Sequence, residues 1–301
     1  MSETASVMEV KRADAASYAV TAASFDDLTE RFSAPLAQVM LDLAHLQSDS
    51  EVLDVGTGTG LVALRAARTV TAGSVLGIDH SAGMLERASS KAAELGIGDR
   101  VRFKAMDAEA LDLPDKSFDA VLSLFVLLHL PHRLAAVKEM HRVLRPGGRL
   151  VVAVGSRPPI FSVAAIIRGV KHVAFLTAMA LGRRLLAPHF LHGLMKKHGI
   201  DGLEAHGDYN NSAGIEETLK AAGFDNFRTL WRGDVVDLDE EDFWAVQAVY
   251  GSAARIVLSN EAVETVEALR SDFIDTARRV RSMGGKLIYR YGAKFYVATR
   301  E

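Results

Sequence analysis

The chain has 301 residues, a formal net charge of −3, 49% hydrophobic residues and no cysteine. That much apolar material can fill one large domain or two modest ones, and the missing cysteines exclude disulfides, thiolate metal sites and thiol nucleophiles. The mild acidity argues against a general nucleic-acid binder, and the opening MSETASVMEVKRADAASYAV lacks the basic start and apolar run of a secretory signal, so a cytoplasmic protein is expected.

Residues 1–47 read as a polar arm followed by a helix. From Ser24, a candidate N-cap, the residues Phe25, Leu28, Phe32, Leu36, Val39, Met40 and Leu43 recur at spacings of three and four. Residues 48–155 then alternate. Short apolar runs at 51–55, 74–79, 101–106, 118–124 and 149–155 predict buried strands, with helices near 60–70, 81–95 and 132–144. Ser81 offers an N-cap, Gly96 or Gly98 a stop, and RPGG at 145–148 a turn feeding the next strand. Such alternation predicts right-handed crossovers and a parallel sheet covered on both faces.

After Gly155 the rhythm breaks. Residues 156–205 predict an apolar helical insert with an unusual charge: between Glu139 and Asp201 there are ten Lys or Arg and no acid. Residues 206–237 resume the alternation, with a helix at 212–222, a stop at Gly223 and a strand near 226–233. Residues 238–283 predict a second helical insert, and 284–301 a closing strand rich in aromatic and β-branched residues. All of this is expected to form one domain. No run of roughly 18–20 uninterrupted apolar residues is present, the length a bilayer span needs.

The first strand leads into VLDVGTGTG, residues 52–60. Gly56, Gly58 and Gly60 let backbone approach a ligand without a Cβ collision, at the sheet end where open α/β folds bind ligands. Two acids sharpen the reading. Asp79 ends the second strand, where a carboxylate can accept hydrogen bonds from both hydroxyls of an adenosine ribose. Asp107 follows the third strand, where it can take the adenine amino group while the Ala108 N–H reaches a ring nitrogen. Leu61 and Val62 stand where a triphosphate loop needs Lys and Ser/Thr, and the G-x-G-x-G spacing departs from the dinucleotide G-x-G-x-x-G.

Four stretches together resemble the class I S-adenosylmethionine-dependent methyltransferases, notably the ubiquinone/menaquinone-biosynthesis-like group acting on small molecules. They are VLDVGTGTG (52–60), VLGIDHSAGMLERA (75–88), VRFKAMDAEALDLPDKSFDAVLSLFVLLHLP (101–131) and VLRPGGRLVV (143–152). The resemblance implies a Rossmann-like α/β fold, a seven-stranded, mostly parallel sheet sandwiched by helices whose last strand runs antiparallel between strands five and six. It implies S-adenosyl-L-methionine as cofactor, with Asp54, Gly56, Thr57, Gly58 and Gly60 at its methionine end. Asp79 would bind the ribose, His80 and Met84 would flank the adenine, and Asp107 with Ala108 would read its edge. Ser123 or Leu124 would offer a backbone carbonyl to the ammonium. The expected reaction is methylation of an O, N or C nucleophile on a small, rather apolar metabolite, with a catalytically idle cofactor binder as the alternative.

Around this core the readings stay double. His129 is a candidate general base near the transfer point or a packing residue. Tyr18 and Phe25 touch cofactor or substrate, or Phe25 belongs to the helix's core face. Tyr209 and Asn210 orient an acceptor or form a turn. Trp244 lines the acceptor pocket or fills the core. The insert over 158–198 is a lid on the core, a cover for an acidic or phosphorylated substrate, or a basic-and-apolar helix resting on a membrane surface. No metal site and no nucleic-acid partner are expected.

Overall fold

Each apolar run of the 51–155 region becomes a strand because its neighbours in sequence, the helices between runs, can close over both faces of a shared sheet. The computed structural model describes residues 26–156, 191–201, 214–249 and 252–301. The strands are β1 (Glu51–Val55), β2 (Ser74–Asp79), β3 (Val101–Ala105), β4 (Phe118–Leu124), β5 (Leu144–Gly155), β6 (Phe227–Asp237) and β7 (Ile288–Thr299). Their order is β3-β2-β1-β4-β5-β7-β6, with β7 antiparallel to β5 and the β1–β2, β1–β4, β2–β3 and β4–β5 pairs parallel. This is the seven-stranded, Rossmann-like sheet with an antiparallel last strand that the sequence leads one to expect.

The helices are α1 (Ala34–Ala44), α2 (Leu61–Thr69), α3 (Ala82–Glu94), α4 (Arg133–Val143), α5 (Leu191–Lys197), α6 (Ile215–Ala221), α7 (Glu240–Ala248), α8 (Ser252–Leu258) and α9 (Val263–Ser282). Strand residues alternate between two buried faces. Leu53, Val55, Ile78, Val121, Val152 and Val154 form one core with Val137 and Met140 of α4 and Leu219 of α6. Asp54, in register between Gly77 of β2 and Leu122 of β4, belongs to the opposite face.

Two local features depart from the sequence pattern. The first helix is interrupted by a wide π-turn, Thr29–Ser33, in which the Ala34 N–H bonds the Thr29 carbonyl five residues back. Pro35 follows at once. Its ring lacks a donor and crowds the carbonyl four residues earlier, so the helix widens there and continues. The apolar stripe shifts accordingly, burying Leu28, Phe32, Leu36, Ala37, Met40 and Ala44, while Val39 and Leu43 are only half-buried.

The second departure corrects a predicted turn. RPGG does not precede β5; it lies inside it as a bulge, between the Phe118–Leu144 and Ala120–Arg149 pairs. The Gly147 N–H donates to the Arg300 carbonyl at 2.7 Å and the Arg300 N–H to the Gly148 carbonyl at 2.9 Å. These ladder bonds from the far end of the chain draw turn-forming residues into the strand.

The chain divides into two compact units, one of Met1–Ser156, Tyr209–Arg232 and Ala293–Glu301, the other of Arg157–Asp208 and Gly233–Gly292. Within the second, Leu269, Phe273, Ile274, Ala277 and Val280 of α9 recur at helical spacing and are buried, with Phe243 and Trp244 of α7 against Phe273. Lys197 of α5 donates to Asp272 Oδ2 at 2.6 Å. Among the described residues, no helix is long and apolar enough to cross a membrane.

Candidate active site at the carboxyl ends of the central strands

The glycine turn is built on three positive backbone φ values, +71° at Gly56, +55° at Gly58 and +85° at Gly60. Side chains rarely adopt these angles, so the turn needs its glycines. At Gly56 space is short as well. An added Cβ would meet Val126 Cγ2 at 2.2 Å, whereas at Gly58 nothing lies within 4 Å. Gly56 and Thr57 both donate their N–H to the Ile78 carbonyl at 2.8 Å, which seats the turn across the end of β2.

Asp54 proves to be the foundation of the turn. Its Oδ2 accepts the Thr57 hydroxyl at 2.7 Å and the Ala63 N–H at 3.1 Å. The side chain is 1% exposed. Burial pushes its pKa up to about 7, with the Asp79 charge adding to the rise and the two hydrogen bonds opposing it. Gly77 makes room for this arrangement, since a Cβ there would stand 2.7 Å from Thr57 Oγ1 and from Phe103 Cδ1. The sequence patterning gave Gly77 no role, because inside an apolar run it reads as one more strand residue.

Asp79 sits at the lip. Its Oδ2 accepts the Gly58 N–H at 2.8 Å and its Oδ1 the Ser81 N–H at 2.9 Å. Burial raises this carboxyl too, while the backbone donors of Ser81, Gly58 and His80 pull it back. His80 is exposed and Met84 fully buried. The Met106 N–H reaches the Asp79 carbonyl at 3.0 Å, so the loop after β3 starts beside it. In that loop Asp107 is half-buried and accepts the Glu109 N–H at 2.9 Å on Oδ1, with Ala108 buried behind it. Arg142 of α4 clamps the loop through the carbonyls of Leu111 and Leu113 and the carboxylates of Glu139 and Asp115. The guanidinium holds the Glu139 carboxyl below its usual range.

At the end of β4, Ser123 is fully buried and its Oγ has no hydrogen-bond partner, while Leu124 is half-buried. Phe125 then takes a φ of +64°. For a bulky residue this is a strained conformation of the kind that collects at functional sites. It delivers Val126 against Gly56. His129 follows, half-buried, in a 3₁₀ turn from Leu127 whose last N–H bonds the Val126 carbonyl at 2.8 Å. The residues of the glycine turn, Asp79, the Asp107 loop and the turn after β4 therefore gather at one end of the sheet.

Tyr18, Phe25, Tyr209 and Asn210 lie outside the described residues, as does most of the 158–198 stretch. Trp244 belongs to the helical unit, 7% exposed and edge-on to Phe273 at 5.2 Å. Among the described residues no cluster of His, Asp or Glu has the geometry of a metal site.

Residues 52–148 match a methyltransferase domain family. Over those residues the chain is similar to class I, S-adenosylmethionine-dependent methyltransferases. Its sequence is 39% identical over 127 residues to the ubiquinone/menaquinone biosynthesis C-methyltransferase UbiE of Hahella chejuensis, 41% of this chain and 51% of that protein. It is 38% identical over 130 residues to the 27-O-demethylrifamycin SV methyltransferase of Amycolatopsis mediterranei, covering 43% and 46% respectively. The matches thus span about half the length of these curated relatives. Among solved structures, YcgJ of Bacillus subtilis superposes with a TM-score of 0.53 at 19% identity, over 88% of this chain and 97% of that one. The [4+2]-cyclase SpnF follows at 0.52 and 25% identity, over 89% and 81%.

The described residues fit the cofactor of this class on two observations. At Gly58 an added Cβ would meet nothing within 4 Å, so the backbone there stands open to a ligand. The Asp79 carboxylate, oriented by backbone donors that include the Gly58 and Ser81 N–H groups, keeps acceptor capacity for a hydroxyl donor.

Proposed function

We propose that the protein transfers the methyl group of S-adenosylmethionine to an O, N or C nucleophile on a small, rather apolar molecule. One observation carries the reading: Asp79, held by the Gly58 and Ser81 N–H groups, stands beside the open Gly58 backbone at the carboxyl end of β2. When bound, the cofactor supplies an electrophilic methyl on a leaving group that is already activated, so this chain's task is chiefly alignment and exclusion of water.

In this reading Asp79 accepts hydrogen bonds from the ribose hydroxyls, Asp107 and the Ala108 N–H take the adenine edge, and the glycine turn faces the methionine end. Asp54 acts from beneath, by fixing Thr57 and the start of α2. His129, on the turn that follows β4, is the candidate for receiving the acceptor's proton. The relatives named for ubiquinone/menaquinone biosynthesis and for a demethylrifamycin support a quinone-like or natural-product acceptor.

The likeness to a [4+2]-cyclase favours a second reading, a domain that binds the cofactor without transferring its methyl group. Calorimetric titration with S-adenosylmethionine and, separately, with a reduced nicotinamide cofactor tests the binding. Micromolar binding of the former, weakened about 10- to 100-fold by Asp79→Ala through loss of charged hydrogen bonds, is expected. Binding of the nicotinamide alone would overturn the proposal. Release of S-adenosylhomocysteine in the presence of apolar phenols and quinols separates the methylating reading from the second one.

A further inference from the structure

The two threonines of GTGTG send their hydroxyls to different carboxylates. Thr57 serves Asp54 beneath the turn; Thr59 Oγ1 donates to Asp26 Oδ1 at 2.7 Å. Asp26 lies 33 residues upstream, just before the π-turn. Lys91 Nζ stands 2.6 Å from its Oδ1 and Arg87 Nε 3.3 Å from its Oδ2, both from α3. The Asp26 residue is 8% exposed and Thr59 2%. Burial by itself would raise the Asp26 carboxyl, but Lys91, Thr59 and Arg87 bring it below its ordinary value. It is therefore an anion at neutral pH, and its partners hold it as one.

The elements it joins give this carboxylate its meaning. α3 begins directly after Asp79, His80 and Ser81, and Thr59 stands next to Gly58, whose N–H bonds Asp79. One buried charge thus connects both segments that flank the proposed ribose acceptor. An exposed ion pair of this kind would do little. The Lys91 and Asp26 side chains are only 14% and 11% exposed, so removing a partner leaves charge unpaired in a poorly solvated place.

We propose that Asp26 is a positioning residue of the cofactor site, acting through Thr59 to hold the Gly58–Gly60 backbone in its ligand-ready shape. The inference rests on reading the glycine turn as the cofactor loop. Thr59→Val removes the hydroxyl at constant shape and leaves Asp26 with Lys91 and Arg87; Thr59→Ser restores the donor.

Two measurements decide. Thr59→Val is expected to weaken S-adenosylhomocysteine binding about tenfold, equivalent to about 1.4 kcal/mol, with Thr59→Ser close to wild type. It is also expected to speed amide exchange at Gly58 and Gly60 about tenfold without change at Val121 in the sheet. A purely structural role would lower the stability of the whole domain and leave no selective change at the turn. Affinity within twofold of wild type, or unaltered exchange at Gly58 and Gly60, would overturn the proposal. If the wild-type protein binds no S-adenosylhomocysteine, the cofactor reading fails, and the exchange at Gly58 and Gly60 alone decides the role of Asp26.

Discussion

Replacing Asp54 with asparagine should stabilise the protein at pH 8 relative to pH 4. The Asp54 carboxyl is 1% exposed, and burial, helped by the nearby Asp79 charge, carries its pKa from 3.8 to about 7. A carboxyl whose folded pKa lies above its unfolded value binds its proton more tightly in the folded state. Its contribution to stability is therefore complete below pH 3.8 and is lost as the pH rises through 7. A shift of roughly three units, at 1.36 kcal/mol each, makes that loss on the order of 4 kcal/mol. Asparagine keeps the carbonyl that Thr57 Oγ1 and the Ala63 N–H need and has no proton to lose. The unfolding free energy of the variant minus that of wild type should then climb by about 4 kcal/mol between pH 4 and pH 8. Carboxyls remote from Asp54, among them Asp26, Glu139 and Asp272, titrate alike in both proteins and cancel in the difference. Urea unfolding followed by circular dichroism at pH steps of half a unit measures it. A difference that stays flat across this range would refute the argument from burial.

Three further outcomes follow from geometry. Phe125 adopts a φ of +64°, so Phe125→Gly should be more stable than Phe125→Ala by about 1 kcal/mol, the reverse of ordinary positions; urea unfolding of the pair checks it, and alanine coming out ahead contradicts the left-handed assignment. Gly77→Ala puts a methyl 2.7 Å from both Thr57 Oγ1 and Phe103 Cδ1, which should cost about 1–3 kcal/mol, and an unshifted thermal midpoint argues against the close approach of Thr57. Arg142→Ala removes donors from the Leu111 and Leu113 carbonyls and should expose the 107–115 loop to faster exchange, seen at the Leu111 amide that bonds Glu139 at 2.9 Å.

Much of the sheet and of its ligand end was legible because the signals are local. Buried strands announce themselves as apolar runs, glycines as permission for positive φ, and the two acids by their place at strand ends. What escaped was set by partners far away in sequence. RPGG has the chemistry of a turn, and only the Arg300 backbone, some 150 residues on, makes it a bulge. Asp26 looks like any helical surface acid until Thr59, Lys91 and Arg87 fold around it. The resemblance places Asp54 at the methionine end of the cofactor, but that its Oδ2 also ties the turn to the helix behind it becomes visible only in the fold. The left-handed Phe125 carries no composition signal at all. Pro35 was visible, and its effect on the helix could have been anticipated from its missing donor.

The place of β7 in the sheet has a consequence for synthesis. It is the last strand in sequence, yet it lies between β5 and β6. Until residues 288–299 leave the ribosome, β5 has a vacant side, and Leu150, Val151, Val152 and Ala153, all fully buried in the finished fold, border it. A nascent chain therefore carries an apolar, pairing-competent edge from the completion of β5 until β7 emerges, the kind of surface that invites adhesion to other chains. Closure of the β5 edge therefore waits for residues 288–299, however early β5 itself is made.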